Sequence, residues 1–229
     1  MADKLKRRQS SASDSASERA QPKKRYGMVI DLDRCIGCWT CAVACKMENN
    51  IPSGLWWSRV LTVGADFTDT SAGEYPNLEK HYKPVSCFHC EKPACMQACK
   101  SGATYQREDG LVLIDYDKCT GCRECLTACP HNNRVFNWEE PDYAATEVEG
   151  YGAKEASQRR QGVAEKCTFC VHRVDQGLEP ICVVVCPVQA RSFGDLNDPE
   201  EQVTQMVRKA NVSPFGTITS ISLKKGLSF

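Results

Sequence analysis

The sequence contains no run of 18 or more apolar residues. Its longest dense stretch, Ile181 to Val185, falls far short of the ~20 residues that a membrane-crossing helix requires. Any membrane attachment is therefore expected to come through a partner. An excess of either charge is also missing: 29 basic residues balance 29 acidic ones, which argues against a nucleic-acid partner. There is no Ser-His-Asp order, no phosphate-binding glycine loop, no dinucleotide fingerprint and no acidic pair suited to proton transfer, so the chain itself is not expected to make or break substrate bonds. Hydrocarbon is short as well. The 41% apolar fraction counts 16 cysteines among 229 residues, and only about 34% remains without them, so something other than apolar packing must help hold the chain together.

Charge is unevenly spread. Residues 1–25 carry eight basic and three acidic side chains, are rich in Ser and show no apolar periodicity, which reads as a disordered tail. Arg7 and Arg8 form a twin-arginine pair, but the apolar stretch that an export signal needs does not follow.

All sixteen cysteines fall into four groups of four. The first is Cys35, Cys38, Cys41 and Cys45; the second Cys87, Cys90, Cys95 and Cys99; the third Cys119, Cys122, Cys125 and Cys129; the fourth Cys167, Cys170, Cys182 and Cys186. Disulfide frameworks favour short secreted chains, whereas this length can support a conventional fold. Structural zinc also uses Cys-x2-Cys, but as two pairs that together form one tetrahedron. In the first and third groups three cysteines instead follow at i, i+3 and i+6 in one tight loop, with a fourth four residues on. That is the bacterial iron–sulfur spacing, in which the fourth cysteine ligates the other cluster of a pair. Zinc stays open as the minor alternative.

A loop with thiolates every three residues, eased by Gly37 or Gly121, can wrap one face of a cubane, although a plain turn would need the same glycines. Cys41 and Cys45, like Cys125 and Cys129, are i, i+4 pairs over helix-favouring residues, which predicts Cβ atoms about 5–6 Å apart on one helix face. If the two sulfurs of a pair serve different clusters, those clusters lie on the order of 10 Å apart. Pro130 and Pro187, directly after the last cysteines of groups three and four, are expected to stop short helices there. Tyr26 to Asp31 reads as a strand. Ala103 to Gln106, the turn Asp109-Gly110 and Leu111 to Asp115 read as a hairpin feeding the third loop.

Over roughly residues 26–195 the sequence resembles the four-cluster, ferredoxin-type beta subunit of the dimethyl-sulfoxide reductase superfamily of molybdopterin oxidoreductases. The resemblance rests on GMVIDLDRCIGCWTC, CFHCEKPAC, DYDKCTGCRECLTACP and CTFC with CVVVCPVQA. It implies an α+β fold of two ferredoxin-like modules, one inserted into the other, with loop-rich insertions and a C-terminal helix. The expected layout has residues 26–80 and 160–210 as the first module, 81–135 as the inserted second, 136–159 as an insertion and 211–229 as a tail.

Carried over residue by residue, the resemblance implies four 4Fe-4S clusters. The first would be held by Cys35, Cys38, Cys41 and Cys186, and its mate by Cys167, Cys170, Cys182 and Cys45. In the inserted module the sets would be Cys87, Cys90, Cys95 and Cys129, then Cys119, Cys122, Cys125 and Cys99. Some relatives carry Trp and a three-iron cluster where this chain has Cys122. The implied partners are a molybdopterin catalytic subunit next to the first cluster and an integral-membrane anchor nearest the cluster of the third group. Electrons would pass between quinol and molybdenum, on a side of the membrane that the sequence leaves open. The competing class is a soluble polyferredoxin linked to a hydrogenase or a formate-oxidising enzyme.

Four anionic clusters need compensation from amides and nearby cations. Arg34, Lys46, Lys92, Lys118, Arg123 and Lys166, each near a cysteine in sequence, are the candidates, against the simpler reading of solvated charges. His89, His131 and His172 are expected near the surface or behind the ligands rather than as ligands. Trp39 is placed as a shield for the first cluster or as plain packing, and Trp56 and Trp57 as a partner anchor or a local core. Segment 130–166 reads as a long covering insertion. Asp198-Pro199-Glu200-Glu201 opens a helix with a stripe of Val203, Met206, Val207 and Ala210. The tail 211–229 is β-prone, and is expected to lie on a partner or to be disordered.

Overall fold

The computed structural model describes residues 24–63, 71–141, 152–209 and 220–223. Most of the expected basic tail, Ala210 of the helical stripe and the middle of the covering insertion lie outside the described residues. In chain order the described elements are β1 (Tyr26–Asp31), α1 (Thr40–Glu48), β2 (Arg59–Val63), β3 (Ala72–Glu74), β4 (Asn77–Glu79), β5 (His81–Val85), α2 (Ala94–Gln97), β6 (Thr104–Gln106) and β7 (Val112–Ile114). They continue with α3 (Glu124–Thr127), β8 (Val135–Phe136), β9 (Ala164–Glu165), α4 (Val171–Val174), α5 (Ile181–Val184), β10 (Arg191–Asp195), α6 (Gln202–Lys209) and β11 (Ser220–Leu223).

β1 ties distant parts of the chain together. It pairs antiparallel with β10, Met28 opposite Phe193, so that two segments some 165 residues apart share a sheet. The strand is buried on both faces, as its unbroken Met-Val-Ile run requires. Met28 and Ile30 face the larger core with Leu32, Ile51, Trp57, Val60, Leu111 and Phe169. Val29 faces the other way, into Leu196, Val203 and Val207. The α6 stripe thus closes the outer face of the sheet. The helix begins at Gln202, after a turn in which Asp198 Oδ1 accepts the Glu200 N–H at 2.9 Å.

Within the β-prone tail, Ser220–Leu223 pairs parallel with β1 on the side opposite β10. This segment extends the chain's own sheet. An open strand edge is the physical reason, since unpaired N–H and C=O groups on β1 would otherwise face water or a neighbour.

The expected hairpin forms with β6 antiparallel to β7 and Gly110 in the left-handed region at φ +86°. In the expected insertion, the two-residue pairing of β8 with β9 ties Phe136 to Ala164 and closes its base. Arg159 covers the Trp57 ring at 4.7 Å and pairs with the fully buried Glu165 at 3.0 Å. Trp57 is therefore core, while Trp56 is half-buried and meets Trp39 edge-on at 5.8 Å.

The helices that carry cysteines are short, and they pack in pairs: α1 on α5, α2 on α3. α1 carries both Cys41 and Cys45, as the i, i+4 spacing predicts. α3 does not: it ends at Thr127, and Cys129 is reached by a tighter bond from its N–H to Leu126 O. α2 ends in the same way, with the Cys99 N–H on Met96 O before Lys100, so the contraction belongs to the cysteine loop and a following proline merely suits it.

Candidate metal centres

All four cysteine loops begin with the same turn. The residue two positions after the first cysteine has a left-handed backbone in each: Gly37 at φ +71°, His89 at +45°, Gly121 at +70° and Phe169 at +56°. This conformation folds the loop back so that main-chain N–H groups point at sulfur. His89 N–H donates to Cys87 Sγ at 3.5 Å and Phe169 N–H to Cys167 Sγ at 3.4 Å. On the returning chain, Thr104 N–H reaches Cys99 Sγ at 3.3 Å and Ala190 N–H reaches Cys186 Sγ at 3.2 Å. Trp39 and Arg123 add a second left-handed residue at matching places in the first and third loops, each at the start of its helix.

The two loop glycines are constrained from outside as well. A Cβ on Gly37 would stand 2.4 Å from the Tyr82 ring, and one on Gly121 would stand 2.5 Å from the Gly162 carbonyl oxygen. A backbone oxygen cannot step aside as a side-chain tip does. Gly54 also has a positive φ, but a Cβ there meets nothing within 4 Å. Gly54→Ala is thus expected to lose only the left-handed penalty of about 1–2 kcal/mol. Gly121→Ala should lose that and the clash, and so melt clearly earlier in thermal unfolding of the metal-loaded protein. Equal shifts for the two variants would contradict the close approach.

The thiols lie in four neighbourhoods. Cys35, Cys38, Cys41 and Cys186 line one cavity together with Trp39, Pro187 and Arg191. Cys99, Cys119, Cys122 and Cys125 line another with Arg123 and Arg134. Cys45 feels Cys167, Cys170 and Cys182, and Cys90 feels Cys87, Cys95 and Cys129. Cys45, Cys167, Cys170 and Cys182 are all buried, whereas Cys38 and Cys122 are exposed. Among the described residues no three His, Cys, Asp or Glu side chains stand close enough to share a single metal ion.

Burial acts first on these thiols. Lost hydration and crowded sulfurs push Cys90 up to about 11 and Cys170 up to about 12, and raise Cys45 and Cys167 well above the ordinary thiol range. A bound metal reverses this by displacing the proton, because the thiolate is the ligand form. The donor chemistry suits iron–sulfur centres: four thiols in each neighbourhood, amide N–H groups turned toward sulfur, and buried cations behind them.

Those cations are mostly not the expected ones. Lys118 is exposed and pairs with Asp115. Lys46 bonds the Pro52 and Leu55 carbonyls and covers Trp56 at 5.0 Å. Arg123 lies over Trp138 at 4.7 Å, at the mouth of the Cys122 cavity. Lys166 is fully buried and donates to Val112 O and, at 2.9 Å, to Cys167 O. Among the described residues, Arg34 donates its backbone N–H to Asp31 Oδ1 at 3.3 Å, and no contact there gives Lys92 a role. Among the described residues, the buried guanidinium groups that stand beside sulfur are those of Arg134 and Arg191, which the sequence reading missed. Each stands five residues beyond the last cysteine of its group, so the repeat itself carried the signal. Asn49 was missed too. Its Nδ2 lies 3.7 Å from Cys170 Sγ and 3.8 Å from Cys45 Sγ.

The histidines divide. His131 meets Phe88 edge-on, and His172 bonds Glu48 at 3.0 Å, clamping α4 to the end of α1. His89 is wholly buried, contrary to a surface placement. Its Nδ1 accepts the Val112 N–H at 2.9 Å, and burial together with nearby Lys166 lowers its pKa well below the ordinary value, so the ring is neutral. It stacks on Phe169 at 3.9 Å. These two rings are the left-handed residues of loops two and four, so their stack joins those loops, and Cys87 lies within electrostatic reach of Cys167.

A 4Fe-4S dicluster domain matches residues 78–149 and 150–196, and a 4Fe-4S binding domain matches residues 28–48. A protein of Halobacterium salinarum, provisionally named as the iron–sulfur subunit of a dimethyl sulfoxide reductase, is 52% identical over 188 residues, 80% of this chain and 70% of that one. The protein belongs to the iron–sulfur subunits of the dimethyl sulfoxide reductase superfamily. A subunit of the selenate reductase of Mesobacillus selenatarsenatis is 41% identical over 197 residues, covering 81% of this chain and 65% of its own. A component of the anaerobic dimethyl sulfoxide reductase of Escherichia coli is 37% identical over 175 residues, covering 76% and 75%. An iron–sulfur subunit of this family is an electron-transfer component of reductases of anaerobic respiration, with ferredoxin-type 4Fe-4S domains in a mixed α/β chain. No described helix is long and apolar enough to cross a membrane.

Proposed function

We propose that the chain holds four 4Fe-4S clusters in single file and relays electrons between a quinol-linked membrane anchor and a molybdopterin catalytic subunit. When bound, each cluster takes up and gives back one electron. Cys35, Cys38, Cys41 and Cys186 would hold the first; Cys45, Cys167, Cys170 and Cys182 the second; Cys87, Cys90, Cys95 and Cys129 the third; and Cys99, Cys119, Cys122 and Cys125 the fourth.

The observation that carries the reading is the gradient of exposure. Of the two inner sets, the one around Cys45 is buried and that of Cys87, Cys90, Cys95 and Cys129 is half-buried, whereas the two end sets each bring one cysteine, Cys38 or Cys122, to the surface. A relay needs two open ends and a middle protected from water. Apolar side chains are exposed at both ends: Ile36, Trp39 and Val43 around the first set, Trp138 beside the last. In this reading α1 bridges the first two sets, the His89–Phe169 stack joins the second to the third, and the packed pair α2 and α3 joins the third to the fourth.

The pairing of β1 with β10, outside the segment containing β6 and β7, supports a nested arrangement of two modules. The regions near Trp39 and Trp138 would then receive the catalytic and anchor subunits respectively, with the complex attached to the membrane through the latter. Purification of the native assembly under anaerobic conditions is expected to bring down a large molybdenum-containing protein in stable stoichiometry. Recovery with only small or nickel–iron partners would contradict the proposal.

A further inference from the structure

Arg191 and Arg134 are 3% and 4% exposed, and among the described residues neither has a carboxylate within ion-pair distance. Arg191 Nη1 lies 3.3 Å from Met28 Sδ and 3.8 Å from Cys182 Sγ, and Nη2 lies 3.5 Å from Ser58 Oγ. Its charge also reaches Cys41 and Cys167, and it lines the cavity of Cys35, Cys38 and Cys186. Arg134 Nη1 donates to Thr104 Oγ1 at 3.2 Å, while its buried Nε and Nη2 have no oxygen or nitrogen acceptor and the guanidinium faces the Cys95 and Cys125 thiols. Its charge reaches Cys87, Cys95 and Cys125, and it lines the cavity of Cys99, Cys119 and Cys122.

A buried cation without an anion is costly, and donors left orphaned in a dry site add to that cost. Both costs vanish if the missing anion is the centre that the surrounding thiols hold. The two positions are also equivalent in sequence, five residues after Cys129 and five after Cys186. Each guanidinium stands between two cysteine sets rather than behind one.

We propose that Arg191 and Arg134 are paired positioning charges, each shared by the two clusters of one module, and that each raises both reduction potentials of its own pair. This rests on the four-cluster reading above. An oxidised cluster with four thiolates carries a charge of about −2, and one added electron makes it more negative. A fixed positive charge between two such centres favours the reduced form of both.

The test is a redox titration of the intact, anaerobically purified complex, following the paramagnetic signals of the clusters, with iron and sulfide counted in parallel. In R191M the two clusters of Cys35 and Cys45 are expected to become at least tenfold harder to reduce, ~59 mV for a one-electron couple, while the other two stay in place. R134M should do the reverse. R191K and R134K, which keep the charge, should recover most of the shift. Loss of clusters in a methionine variant, restored by lysine, supports the same role. Full cluster content with unmoved potentials, a shift in the wrong pair, or cluster loss that lysine does not restore would overturn it. Wild-type complex without iron or sulfide would instead overturn the four-cluster reading.

Discussion

Replacing Cys45 by alanine is expected to abolish the cluster of Cys167, Cys170 and Cys182 and to leave the cluster of Cys35, Cys38 and Cys41 in place. Neighbouring sequence would suggest the opposite, since Cys45 follows the first loop directly. The reason is α1: one helical turn carries Cys41 toward the first set and Cys45, fully buried, toward the three cysteines of the fourth group. Iron per chain should fall by about a quarter, since one of four cubanes loses a corner ligand. Paramagnetic resonance separates the outcomes, and loss of the Cys35-loop signal alone would contradict the crossed ligation.

Removing all iron is expected to have a larger effect still, abolishing the cooperative unfolding transition of most of the chain. The apolar core is built in part from the would-be ligands. Cys41, Cys45, Cys167 and Cys182 sit in the main cluster beside Met28, Ile30 and Phe169, and Cys125 sits in the smaller one with Phe136. Four of the six described helices are single turns of four residues, too short to persist without tertiary support. Emptying the sites leaves buried thiols, an unpaired Arg191 and an unpaired Arg134. Metal binding in such chains is folding free energy. Calorimetry of the chelated protein checks this, and a retained, fully cooperative melt would contradict it.

Much of the site was legible because metal ligation imposes spacing on a sequence. Cysteine intervals gave the loops, an unbroken apolar run gave β1, Asp-Gly gave the hairpin, and the stripe of Val203, Met206 and Val207 gave α6. Features that depend on chain segments meeting in space were not legible. Nothing in Ser220–Leu223 names β1 as its partner, and nothing near His89 announces Phe169 across the junction. Candidate cations were sought beside cysteines in sequence, whereas Arg134, just before β8, and Arg191, at the start of β10, reach sulfur from segments returning past the loops. Comparing the groups at equal offsets from their last cysteines would have found both. The α3 helix fell short of Cys129 because its last turn tightens, as that of α2 does at Cys99 before Lys100, a contraction that helix propensity does not announce.

The most direct measurement is the count of iron, acid-labile sulfide and zinc in freshly purified, oxygen-protected protein. Sixteen cysteines in four sets predict about sixteen iron and sixteen sulfide per chain, with a brown colour that bleaches on reduction. About four zinc ions and no sulfide would contradict the account, because the same thiols would then be closing tetrahedra instead of passing electrons.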